Sequence, residues 1–200
     1  MIPIVDFWLD FASTYSYLSG LRIEEIAARY GVHVRWRPML LGPIFAGQGW
    51  TTSPFNVFEA KGRYMVRDVG RIATARGAPF HLPDPFPQNS LLAARVALSI
   101  PAGPLRAALS REILIAEFAE RLPINDPAVI GVCLERAGIE PIAALAAAQT
   151  GAVKAQLRAE TELAARAGIF GAPAFITRDG EIFWGDDRLE MALAWARSIG

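Results

Sequence analysis

Cysteine is nearly absent: Cys133 is the single one in 200 residues. One thiol makes no internal disulfide, no CxxC redox centre, no zinc ribbon and no iron–sulfur site. Histidine is scarce too, with only His33 and His81, and no metal-ligand cluster is read. Neither sign of charge prevails, since 20 Lys and Arg face 20 Asp and Glu. That balance excludes a basic nucleic-acid surface or a polybasic membrane anchor as the organising feature. A clean apolar span is also missing. The longest uncharged stretch, 38–58, approaches membrane length, but Pro38, Gly42, Pro43, Gly47, Gly49 and Pro54 make it a folded loop region. The first ten residues hold Asp6 and Asp10 and no Lys or Arg, so no secretory signal is read and a cytoplasmic chain is expected.

What is present is a packed composition, 52% hydrophobic and 20% charged, which excludes a disordered chain. This length buries a sizeable core without staples and reads as one domain with an internal insertion. Residues 2–9 are an apolar run interrupted by Asp6, as in a strand covered on both faces. Ile23, Ile26, Ala27 and Tyr30 then fall at helical spacing, with Gly31 at the usual C-terminal stop. Val32, Val34 and Trp36 alternate with His33, Arg35 and Arg37 in a half-buried strand ended by Pro38. The first 38 residues are therefore a β-α-β unit, for which a parallel crossover is expected.

The far end has another rhythm. Residues 174–177 and 181–184 flank Arg178-Asp179-Gly180, a hairpin signal. A last helix is expected from about Asp187 to Arg197, with Asp187 and Glu190 spaced as a capping box. Between the two ends, 59–76, 89–98, 104–120, 126–137 and 152–167 read as helices parted by proline and glycine. The expected fold is α/β: a thioredoxin-like domain from 1–44 and 165–200, with a helical insertion from 45–164 packed as a separate lobe over the Ser13 end.

Asp10-Phe11-Ala12-Ser13-Thr14-Tyr15-Ser16-Tyr17-Leu18 joins the first strand to a helix. A thioredoxin-like fold keeps its reactive group there, because a helix N-terminus offers unpaired N–H groups and a positive dipole end. Both favour a thiolate. Here the place holds Ser13, which serves equally well as a plain helix N-cap. Lys61, Tyr64, Met65 and Asp68 fall along one helix stripe, which on its own reads as a solvated face with apolar neighbours.

These blocks resemble a known family. The segment 10–18 is similar to the S-P-Y-S-Y-L motif of 2-hydroxychromene-2-carboxylate isomerases and kappa-class glutathione transferases, within the DsbA-like thioredoxin group. The likeness continues in Lys61-Gly62-Arg63-Tyr64-Met65 with Asp68, in Phe170-Gly171-Ala172-Pro173, and in Phe183-Trp184-Gly185-Asp186-Asp187-Arg188-Leu189. It spans nearly the whole chain.

The resemblance implies that the thiol is borrowed from glutathione, with Ser13 donating a hydrogen bond to its sulfur. It implies a cis bond before Pro173 and backbone pairing of Ala172 with glutathione. It puts Lys61 on the glycyl carboxylate, Asp68 near the same place or merely holding Lys61, and Asp187 on the γ-glutamyl ammonium. It further implies an aromatic substrate, isomerised through reversible thiolate addition, and a homodimer. Three residues depart from the family pattern. Thr14 replaces a proline, Thr52 stands where an asparagine often contacts glutathione, and Asp186 puts a second carboxylate beside an anionic ligand where Ser or Asn is common. A glutathione transferase, or a thioredoxin-like binding protein whose cofactor site has lapsed, stays open beside the isomerase. Phe45, Trp50 and Phe55 line an aromatic pocket or simply fill core. His33 reads as a surface residue, His81 has no partner, and Cys133 reads as buried and inert.

Overall fold

In the computed structural model, residues 2–200 are described, except for the side chain of Pro54. β1 (Ile4–Leu9) and β2 (His33–Pro38) pair in parallel from Ile4–His33 to Leu9–Pro38. Between them the chain forms not one helix but two, α1 (Thr14–Gly20) and α2 (Ile23–Tyr30). α2 buries Ile23, Ile26 and Ala27 on one face, as the spacing requires, and ends on Gly31 at φ +67°. β3 (Ala174–Thr177) runs antiparallel to β1, and β4 (Ile182–Trp184) closes the expected hairpin. The sheet order is β2-β1-β3-β4. This is the mixed sheet read from the two ends of the sequence.

Period-two alternation sorts β1 between two layers. Val5, Phe7 and Leu9 face the larger core, where Phe7 stacks on Phe175 and meets Trp36 edge-on. Trp8 faces the other way, into a smaller cluster with Met39, Ile44, Ala164, Ile169 and Ala174. Asp6 shares that second face. It takes two hydrogen bonds from Arg35, its cross-strand partner, and a third from Arg37, which also holds Glu160.

The intervening helices are α3 (Leu41–Gly47), α4 (Pro54–Val57), α5 (Glu59–Ala75), α6 (Leu91–Ser99), α7 (Pro104–Phe118), α8 (Pro127–Arg136), α9 (Pro141–Ala147) and α10 (Gly151–Arg166). Five of them match the predicted helices to within a few residues. α3, α4 and α9 fall outside the predicted spans, because helices of seven residues or fewer are too short to show a clear period. The helical part is not a lobe apart. α7 packs directly on α1, and Tyr17 meets Phe118 at 5.5 Å inside the same core as Phe7. α10 covers the Trp8 face through Ala164, Glu160 and Thr161.

The final helix also departs from expectation. Residues Asp186–Arg188 form one 3-10 turn, and α11 (Leu189–Ile199) begins only after it. Gly185 at φ +106° turns the chain into that 3-10 turn, and Arg188 occupies the cap position in helical geometry. Asp187 therefore sits one residue too early to cap α11, and no side-chain cap exists there.

Candidate active site

Ser13 follows β1 by four residues. The turn is made by Asp10, whose carbonyl accepts the Ser13 N–H and whose carboxylate accepts the Ala12 N–H. Ser13 has extended dihedrals, and its Oγ accepts the Ser16 N–H at 3.2 Å, so it is the N-cap of α1. It does more than cap. The same hydroxyl donates to the Ala172 carbonyl at 3.0 Å, across 159 residues of sequence. The Ala172–Pro173 bond is cis. Ser13 and the Ala172–Pro173 corner are thus one locus, with Ser13 nine-tenths buried.

Thr14, standing in the proline's place, is buried and donates its hydroxyl to Met65 Sδ at 3.2 Å. A proline could not make that tie between α1 and α5. One residue on, the Tyr15 hydroxyl donates to Asp68 Oδ2 at 2.9 Å. Burial above all, then the Asp68 carboxylate and more weakly Tyr64 and Asp187, push the Tyr15 phenol well up. Asp68 therefore holds the Tyr15 hydroxyl directly, while Asp187 acts on it only weakly and through its charge. Asp187 projects into solvent, with Arg188 at 3.3 Å.

Asp68 does not hold Lys61. Its partners are Tyr15, Tyr64 and Arg71. Lys61 is exposed, with its ammonium 4.7 Å over the Phe58 ring, and Phe58 in turn meets Trp50 edge-on at 5.5 Å. Trp50 is therefore half-buried against the start of α5. Thr52 is exposed, and its hydroxyl accepts from Asn56 at 3.1 Å. Neither Lys61 nor Thr52 touches Ser13.

The Asp186 carboxylate, expected to face the ligand, is 3% exposed and turned inward onto Ser19, Arg22 and Arg76. A carboxylate without cations would be too costly to bury there, and Arg22 and Arg76 supply them.

Sequence reasoning missed a second acidic centre below Ser13. The Asp10 carboxylate accepts from Ala12 N–H, Leu41 N–H and Ser90 Oγ, the last two at 2.7 Å. Burial still raises its pKa, outweighing those three donors. Glu117 is fully buried with no hydrogen-bond partner for either oxygen, and burial followed by the Asp10 charge pushes it well up. One signal pointed to it: Glu117 lies three and seven residues from Leu114 and Ser110, on the apolar face of α7.

Cys133 is 1% exposed and burial raises its thiol to about 11, so it is no nucleophile near neutrality. His33 and His81 are exposed. Among the described residues no group of His, Cys, Asp and Glu forms a metal site, and no helix is long and apolar enough to cross a membrane. A hollow of about 470 Å³ opens at the opposite end of β1, between Ile4, Asp6, Arg35, Ile176 and Gly200.

Residues 4–194 match the family model of the DSBA-like thioredoxin domain. The chain belongs to that family. The human glutathione S-transferase kappa 1 is 29% identical over 94% of this chain and 88% of its own length. A 2-hydroxychromene-2-carboxylate isomerase of Sphingobium xenophagum is 25% identical over 95% of this chain and 96% of its own. The structure of a 2-hydroxychromene-2-carboxylate isomerase superposes with a TM-score of 0.86 at 26% identity, covering 98% of this chain and 95% of that one. The DSBA-like fold is thus shared with a transferase and with isomerases. In this family member, serine and not cysteine caps the first helix.

Proposed function

We propose that this DSBA-like protein is a glutathione-dependent isomerase of an aromatic hemiketal or unsaturated pyruvate of the 2-hydroxychromene-2-carboxylate type. One observation carries the reading: a buried hydroxyl, Ser13, stands at the α1 N-terminus against Ala172, while the chain's one thiol is buried elsewhere and held protonated. A site of this build favours an anionic sulfur but does not contain one. The donor set fits a borrowed tripeptide. Ser13 offers a hydroxyl, Ala172 a carbonyl, Asp187 a carboxylate for an ammonium, and Lys61 an ammonium for a carboxylate, while Asp68 is held by Tyr15. Pro173, cis-bonded to Ala172, completes the corner beside Ser13. Thr52 is an exposed hydroxyl that a ligand would have to reach from the α4 side, and Asp186 acts through the turn that carries Asp187.

Glutathione, when bound, supplies a thiolate able to add reversibly to a conjugated double bond, which permits rotation without net redox change. Ser13 holds the proton-donating hydroxyl toward that sulfur, and the α1 N-terminus adds its dipole. Asp187 and Lys61 orient the two ends, and Phe58 keeps the Lys61 ammonium in place.

Incubation with 2-hydroxychromene-2-carboxylate and glutathione tests the reading. Isomerisation should proceed only with glutathione present and should leave its concentration unchanged. Stoichiometric loss of glutathione thiol would make the protein a transferase instead, as its likeness to the human relative allows.

A further inference from the structure

Ser13 has one proton to give, and that proton is already committed. A serine hydroxyl carries a single O–H donor, and here it points at the Ala172 carbonyl while Oγ accepts from Ser16. The function proposed above needs the same O–H on a sulfur. Resting on that reading, we infer that Ser13 hands its hydrogen bond over: it leaves Ala172 for the thiolate only when the ligand brings its own N–H to the Ala172 carbonyl. Activation is then reserved for cysteinyl peptides over simple thiols.

The geometry supports this selectivity. Ser13 Oγ and the Ala172 carbonyl oxygen are 3.0 Å apart, so a donor a few bonds from a sulfur held by Ser13 can reach the Ala172 carbonyl. In a cysteinyl residue the nearest donor to the sulfur is its own N–H, three bonds away through Cβ and Cα. A simple thiol has no such group. A bond from Ser13 to a charged sulfur is stronger than one to a neutral carbonyl, but stripping the carbonyl of its donor offsets that gain. A ligand N–H removes the offset. Ser13 is nine-tenths buried, so its hydroxyl has few partners to choose from besides Ala172 and a bound ligand. The switch needs no backbone movement. The Ser16 N–H stays on Oγ, and rotation about the Cβ–Oγ bond redirects the proton.

The test compares glutathione with its ester isostere, in which oxygen replaces the cysteinyl N–H. Affinities are measured by competition from pH 6 to 10, on the wild-type protein and on Ser13→Ala. The wild type should bind glutathione thiolate about tenfold more tightly than the thiol, equivalent to lowering the thiol pKa by about one. For the ester that preference should fall below about twofold, and in Ser13→Ala both ligands should show the same small preference. Equal tenfold preferences for both ligands in the wild type would overturn the hand-over while leaving the proposed function standing. A difference that survives in Ser13→Ala would overturn it too, since the hydroxyl would then not be its source. Absence of any thiolate preference for glutathione would remove both the hand-over and the borrowed-thiol reading.

Discussion

At the scale of single residues, the most exposed candidate contact is the easiest to test. Among the described residues Lys61 has no ion pair; its ammonium rests on Phe58. A charged hydrogen bond is worth ~1.5–3 kcal/mol, and solvent exposure brings this to about 1 kcal/mol. Lys61→Met should therefore weaken glutathione binding about fivefold by calorimetry and leave the unfolding midpoint nearly unmoved. An unchanged dissociation constant would mean that Lys61 only shields an aromatic ring. Ser13 differs, because capping and hydroxyl donation meet in one side chain. Ser13→Ala should cost ~1 kcal/mol of stability from the lost cap, and turnover should fall more at pH 7 than at pH 9. The sign follows from the thiolate: removing a group that stabilises the anion raises the thiol pKa, so the deficit is largest on the acidic side. These residues were legible because their signals are local, a capping serine after a strand and an Ala-Pro pair before another. Asp10 was not, since what singles it out is its contacts, Ser90 lying 80 residues away, and Glu117 left only its place on the apolar face of α7 as a sign.

At the scale of elements, Asp186 joins pieces that no pattern links. Its carboxylate takes a hydrogen bond from Ser19 of α1, pairs with Arg22 just before α2, and pairs at 2.7 Å with Arg76 at the end of α5. α5 also carries Asp68, and the turn holding Asp186 carries Asp187. The pair of arginines thus fixes the elements that carry these two carboxylates relative to each other. The resemblance put the Asp186 carboxylate beside the ligand, where the family commonly has Ser or Asn; its burial turns it onto Ser19, Arg22 and Arg76 instead. Breaking a fully buried pair costs ~3–5 kcal/mol, but Arg22 and Arg76 keep partial access to water. Asp186→Ala should then destabilise by about 2 kcal/mol, or ~4–8 °C in a domain of this size. A double-mutant cycle with Arg76→Met should show the two losses falling short of additivity. Full additivity would sever α5 from the turn.

At the scale of the whole molecule, the two ends of the chain were legible as β-α-β and β-β-α because strand alternation and hairpin residues survive in short windows. The way the middle packs was not, because helices of similar composition carry no address. That packing buries two acids in the common core, and this gives the fold a pH dependence. Burial raises the pKa of Glu117 strongly and that of Asp10 against its three donors. In the unfolded chain both ionise at ordinary carboxylate values. Above those values the unfolded state has released protons that the native state still holds. Stability is therefore complete in mild acid and declines as pH rises toward the native pKa values, by up to ~1.4 kcal/mol per pH unit for each group. The urea midpoint of the wild type should fall steadily from pH 5 to pH 8 with an unchanged m-value. Glu117→Gln cannot ionise and keeps the side-chain shape, so it should flatten most of that slope and be the more stable protein at pH 8. His33 and His81 are exposed and common to both proteins, so they cancel in the comparison. Parallel slopes for the two proteins would mean that Glu117 ionises in the native core as it does in water, and that some buried donor compensates it.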